Sequence, residues 1–285
     1  MYSGTTLTPM KWFDAWFGAH QKIDRVARTL LGDVFEGQGY YFPSSWQILK
    51  FEGQNGPDGI KRKSPAQDEP WHFYDPADTD DRRLIDSIVH HYGELVVALR
   101  ERNQARAAFE AAWLSHALVD GLTPAHHFPY EQTLVELRGG QSIETRTSPK
   151  EKLIMHGDTM TEKVGNNWKM WGDKGLLATH LAFEWGVAIS IMPLRLKRAT
   201  PSAVDLVEFR QKGVELMFQK RMYQVAALGM YESFHKSGWT PKLAKQVRRE
   251  LAPLIISTIT LAWYAAVMDS QKPIKRRQSR KKAQA

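Results

Sequence analysis

The chain has 285 residues, 42% of them hydrophobic, and no cysteine, which excludes a disulfide framework and leaves any metal to His, Asp and Glu ligands alone. Its net charge of +8 suggests nucleic acid or anionic lipid until it is located, because seven Lys or Arg and no acid fall in residues 272–285 and the preceding 271 residues carry only +1. The end of the chain, residues 271–285, therefore reads as a basic, solvated, disordered tail, with contact to an anionic membrane surface or nucleic acid as the alternative.

Apolar residues spread through residues 10–270 predict one domain. No basic segment followed by an apolar run opens the chain, so the expected location is cytoplasmic or membrane-peripheral, with secretion left open. Ile23, Val26, Ala27 and Leu30 stripe a predicted helix over 13–31. Residues 51–80, rich in Gly, Pro and Asp, predict a long ordered loop. Helices follow over 81–102 and from Gln104 to Leu122. Residues 128–175, with GGQS, TSPKEK, MHGD and WGDKG, predict an insertion holding short helical pieces. A helix from Leu176 stops at Pro193, and two more run from Ser202 to His235, broken near Lys220, and from Pro241 to Met268. Leu251 to Met268 is long and uncharged enough to span a bilayer, but Pro253, Ser257, Thr258 and Thr260 favour a buried helix over an anchor. With no sustained two-residue alternation, the expected fold is an all-α, single-domain helical bundle.

Three of these helices carry polar residues in their apolar stripes. His116 and Asp120 share a face with Phe109, Ala112, Trp113 and Val119; His180 and Glu184, again four apart, stripe another helix; His20 lies on the Ile23 and Ala27 face. Burying unpaired carboxylates is costly. Residues at i and i+4 project side by side, so convergence on a cation would offset that cost. His126 lies beyond a Thr-Pro turn and can fold back, and the 51–80 loop adds Asp58 and His72. Eight oxygen and nitrogen ligands exceed the four of a single zinc and predict a cluster. His156, in MHGD, is the one rival ligand, but its polar surroundings make it a loop residue; His127 reads as a neighbour of the site or a surface residue, and His90, His91 and His235 as lying beside the stripes or at a helix end.

DEPWHFYDPAD resembles the HFYDPD signature of the bacterial zinc-dependent phospholipase C family, and SHALVDGLTPAH resembles that family's HYxGDxxQPxH segment, shared with S1/P1-type nucleases. His116, Asp120 and His126 repeat the family spacing. Asp58 precedes His72 by the family interval, HLAFE supplies His180 and Glu184, and GAHQKIDRVA is similar to the early GHxxIxxxA helix, giving His20. The resemblance covers roughly residues 16–190; the helices after Pro193 match only in being helical.

The resemblance implies a bundle of the phospholipase C/P1 nuclease type over 10–270, with two or three zinc ions that hydrolyse a phosphoester. Asp58, His72, His116 and Asp120 would hold one zinc, His126, His180 and Glu184 a second, and His20 with a bridging Asp120 a third. Asp58 would also orient or deprotonate the attacking water. In secreted members the third zinc also takes the amine and carbonyl of an N-terminal tryptophan. Trp12 and Trp16 precede His20, so the expectation is either cleavage ahead of a tryptophan, after Lys11 for instance, or, favoured, an intracellular relative with two zincs or a third site completed by water. Residues 128–175 are expected to cover the metal cleft with Trp168, Trp171 and several Lys and Arg, and to govern substrate choice. The expected activity is a phospholipase C-like phosphodiesterase acting on phospholipid; the alternatives are a nuclease of single strands and a non-catalytic, zinc-stabilised helical module.

Overall fold

Helices carry the chain from Ala19 onward, with no strand among the described residues. The computed structural model describes residues 1–3, 18–65, 70–78 and 80–273; Trp12, Trp16 and the tail from residue 274 lie outside them. The fold is all-α.

Two helices form its centre. α1 (Ala19–Val34), α2 (Ser45–Leu49) and α3 (Pro57–Lys63) lead to an antiparallel pair, α4 (Arg83–Arg100) and α5 (Gln104–Gly121). Asn103 caps α5 by accepting the amide of Arg106. From Ala107 to Gly121 every residue of α5 is buried except half-buried Phe109 and Trp113, so this helix is enclosed on all sides. The last described helix, α12 (Ala252–Ser270), packs on α1, α4, α5 and α9 (Ala203–Ala226). Its Trp263 is fully buried and donates its indole N–H to the Ala111 carbonyl at 3.2 Å. The stretch of membrane-spanning length is thus a core helix of this fold.

Two expectations about elements are corrected. The 51–80 segment is not all loop, because α3 forms inside it. Pro57 opens that helix at the position where a missing N–H costs nothing, Asp58 stands in its first turn, and Lys61, Arg62 and Lys63 complement its C-terminal dipole. The helix from Ser202 does not break near Lys220. It kinks at Gly213, whose φ of 79° suits a residue without Cβ, and ends at Ala226, before α10 (Met230–Ser237). The expected helix from Pro241 to Met268 forms and runs on to Ser270, with α11 (Pro241–Gln246) joined to α12 through a π-turn at Val247–Leu251, just ahead of Pro253.

The 128–175 segment folds as α6 (Tyr130–Leu137), two short 3₁₀ turns and α7 (Met160–Trp171), ahead of α8 (Leu176–Ile191). It has its own small core of Leu134, Leu137, Met155 and Met170. A capping box between Thr159 and Glu162 starts α7.

Candidate metal centre

The eight predicted site residues converge. His20 comes from the first turn of α1, Asp58 from α3, His116 and Asp120 from the end of α5, and His180 and Glu184 from α8. His126 comes from the 3₁₀ turn Pro124–His127. That turn folds back because the Thr123 carbonyl accepts the His126 amide at 2.9 Å while the Thr123 hydroxyl donates to the Val119 carbonyl at 2.7 Å. His126 and the HFYDP segment then lock reciprocally. Nδ1 of His126 donates to the His72 carbonyl at 2.7 Å, and the Tyr74 amide donates to the His126 carbonyl at 3.1 Å.

Asp120 is the hub. Its Oδ2 lies 2.5 Å from His72 Nδ1 and 3.2 Å from His116 Nε2, while Oδ1 lies 3.4 Å from His20 Nε2 and 3.6 Å from His126 Nδ1. Asp58 Oδ1 stands 3.6 Å from His72 Nδ1 and 3.8 Å from His116 Nε2. Glu184 Oε1 stands 2.9 Å from His126 Nε2 and 3.0 Å from His180 Nε2. Three ligand groups result: His20, His116 and Asp120; Asp58, His72 and His116; His126, His180 and Glu184, the ligand atoms of each within 4.8 Å of one another.

These spacings fit divalent ions. Ligands at zinc distances on a tetrahedron are separated by about 3.3 Å, within the span of the contacts above. Nε2 of His116, buried and facing both Asp58 and Asp120, has no hydrogen-bond partner among the described residues. An imidazole nitrogen left this way beside two carboxylates is a donor set for a metal. The opposite nitrogen, Nδ1, faces Glu52 Oε2 at 3.2 Å, the contact that orients a ligand imidazole.

Met1 also reaches the cluster. Its amine lies 2.8 Å from Asp120 Oδ1 and 3.2 Å from Glu184 Oε1, and its carbonyl lies 2.9 Å from His20 Nε2. Burial opposes the charge on this amine, but Asp120 and Glu184 outweigh it and raise the amine to about 10. Burial likewise pushes the carboxyls of Asp120 and Glu184 up. The Met1 amine and the surrounding imidazoles reverse this and hold both well below the usual carboxylate range. For Asp58 the same opposition ends at about 2, with His116 and His72 overcoming burial. Burial also depresses His126, to about 3, and a neutral ring is the form that binds a metal.

A cavity of about 220 Å³ opens above the cluster. Asp58, His72, His126, His180 and Glu184 lie at its base, Lys61, Arg62, Arg146 and Lys152 bring positive charge to it, and Leu134, Ile143, Leu153, Leu177 and Leu181 make an aliphatic wall. The cover segment supplies Arg146, Lys152 and Leu153, and the Lys152 ammonium donates to the Lys61 carbonyl across to α3. Trp168 and Trp171 do not line the cavity, contrary to expectation, because α7 turns them to solvent.

The remaining histidines stay outside. Nε2 of His127 bonds the Gly121 carbonyl at 2.8 Å, and His156 is exposed. His91 is buried rather than peripheral, 2.6 Å from Glu110, which also meets Arg106 at 2.6 Å. Two buried acids near His116 were not anticipated. Glu52 sits in an aperiodic segment that offers no sequence signal. Asp24 follows His20 by four, the same spacing as the other two pairs, and accepts a bond from Ser115. Burial, followed by the nearby Glu52 charge, raises Asp24 well above an ordinary carboxyl. No family model, curated protein or solved structure matches the chain.

Proposed function

We propose that this protein is a zinc-dependent phosphoester hydrolase of the phospholipase C type, with phospholipid as its substrate. The observation that carries the reading is Asp120, whose two oxygens serve different imidazole sets beneath a cavity with cationic and aliphatic sides. Zinc held by the three groups would lower the pKa of a bound water and neutralise phosphate oxygens. Asp58, with its side chain a quarter exposed, is the acid positioned to hold the attacking water. Its low pKa makes it a weak base, so its main part is to accept a hydrogen bond and fix the direction of attack. Lys61, Arg62, Arg146 and Lys152 draw the phosphate inward. The leucine and isoleucine wall suits a glycerolipid, whereas Tyr2, Trp71, Phe73 and Tyr130 line the same cavity and would stack on bases, so a nuclease of single strands is the second reading.

The test uses the full chain loaded with zinc. Phosphorylcholine release from phosphatidylcholine and nicking of single-stranded DNA are measured in parallel, with and without a chelator. Headgroup release that stops with chelator or with Asp58→Asn, while zinc stays bound to that variant, supports the reading. Nicking without headgroup release makes it a nuclease, and bound zinc with neither activity leaves a metal-stabilised module.

A further inference from the structure

We infer that α7 is a membrane-docking face, which seats the cover segment in a phospholipid surface beside the cavity. Fourteen large apolar side chains are exposed among the described residues, and six of them, Leu153, Ile154, Met160, Val164, Trp168 and Trp171, fall within residues 153–171. Their placement on α7 is not random. At 100° per residue, Met160, Trp171, Val164 and Trp168 lie within an arc of about 80°, whereas buried Met170 lies outside it, about 80° beyond Met160. The helix therefore has two apolar sides: one closes the small core of the cover, and the other meets solvent. Met160 is 78% exposed, Val164 66% and Trp168 67%. An apolar stripe of this kind, carrying tryptophans, matches helices that lie in the bilayer interface.

Charge and continuity choose the occupant. Lys163 lies about 60° outside one edge of the stripe and is exposed, as a phosphate-facing cation flanks an interfacial helix, while Lys169, about 140° from the stripe's centre, keeps the far side polar. Glu162, the acid on this helix, is spent in the capping box with Thr159. The stripe also reaches the cavity. The Trp171 indole donates to the Leu153 carbonyl at 2.6 Å, and Leu153 is part of the cavity's aliphatic wall. A helix seated among headgroups would thus bring that wall against the same layer. The docking face stands on the packing of α7 alone; its use in delivering lipid to the metal centre rests on the hydrolase reading.

The chain has no cysteine, so one introduced thiol can report on the face without side reactions. In an Asp58→Asn background, which keeps vesicles intact, Val164→Cys carrying an environment-sensitive dye is mixed with vesicles of phosphatidylcholine, or of phosphatidylcholine with phosphatidylserine. Trp46→Cys, labelled alike, is the control at an exposed apolar position outside the stripe. The Val164 label should blue-shift and be quenched by brominated acyl chains, and the Trp46 label should not. In flotation, Met160→Ser with Val164→Ser and Trp168→Ser should weaken partitioning at least about tenfold, yet leave turnover of a water-soluble phosphoester intact. Stronger binding to the phosphatidylserine vesicles would assign Lys163 its part. An unmodified chain that stays unbound, or a triple variant that still floats, overturns the inference. A dimer in sedimentation velocity that the triple variant abolishes would give the face to a second copy instead. Vesicle binding without hydrolysis by the unmodified chain would sink the hydrolase reading and leave the docking face standing.

Discussion

Replacing Asp120 by Asn keeps the shape of the hub and removes its charge, and Asp58→Asn does the same at the cavity edge. The two should differ sharply. Asp120 is buried, with the Met1 amine at 2.8 Å and His72 Nδ1 at 2.5 Å on opposite oxygens, so the substitution strands buried partners. Breaking a buried charged pair costs about 3–5 kcal/mol, and a chain of this size loses about 2 °C of Tm per kcal/mol. The expected fall is about 6–10 °C in chelator. Asp58 has no partner nearer than 3.6 Å among its imidazole contacts and is partly hydrated, so its loss should cost no more than about 2 kcal/mol, the size of its pKa depression, and move Tm by under about 5 °C. Added zinc should widen the gap, since ions at a thousand times their Kd contribute about 4 kcal/mol to a chain that binds them. Differential scanning calorimetry with ion counting reads both quantities. Equal shifts in chelator, or an Asp120→Asn protein as stable and as metal-rich as the parent, would refute the convergence on which the site is built.

Three further substitutions probe the frame. Glu110→Gln, which leaves Arg106 and His91 facing a neutral amide, should cost about 3 kcal/mol in chemical unfolding while the zinc count stays the same. Trp263→Ala should cost about 3–5 kcal/mol by the same measurement, and Trp263→Phe should recover most of it, since the indole bond to Ala111 is one contact among many. Gly213→Ala should cost about 1–3 kcal/mol in thermal unfolding, because a φ of 79° with a ψ of 174° is a conformation that essentially only glycine adopts.

Residues spaced four apart on helices made the centre of the site readable. His116 with Asp120 and His180 with Glu184 interrupt apolar stripes, and the helical period alone aims each pair at the core. His20 and Asp24 share that spacing, but Asp24 turns to Ser115, a partner on another helix that periodicity cannot supply. Glu52 lies 64 positions from His116 and Met1 119 positions from Asp120, so both contacts exist only once distant segments meet. The Gly and Pro content of 51–80 hid α3, because Pro57 is a helix-opening residue in one register and a loop residue in any other. Trp168 and Trp171 were expected over the cleft and face solvent instead, because nothing in the letters says which of the two apolar sides of α7 finds protein and which finds solvent.

The placement of α12 has a consequence for biogenesis. Its partners α1, α4 and α5 emerge from the ribosome long before it does, yet their inner faces close only around Trp263 and its neighbours. Until residue 252 and beyond are translated, those helices have a bare flank, and the contact that covers α1 joins segments more than 200 residues apart. Such long-range closure is slow and leaves nascent chains open to aggregation, so this fold is completed after most of its length has been made, and truncation upstream of α12 should send the product to chaperones and proteases.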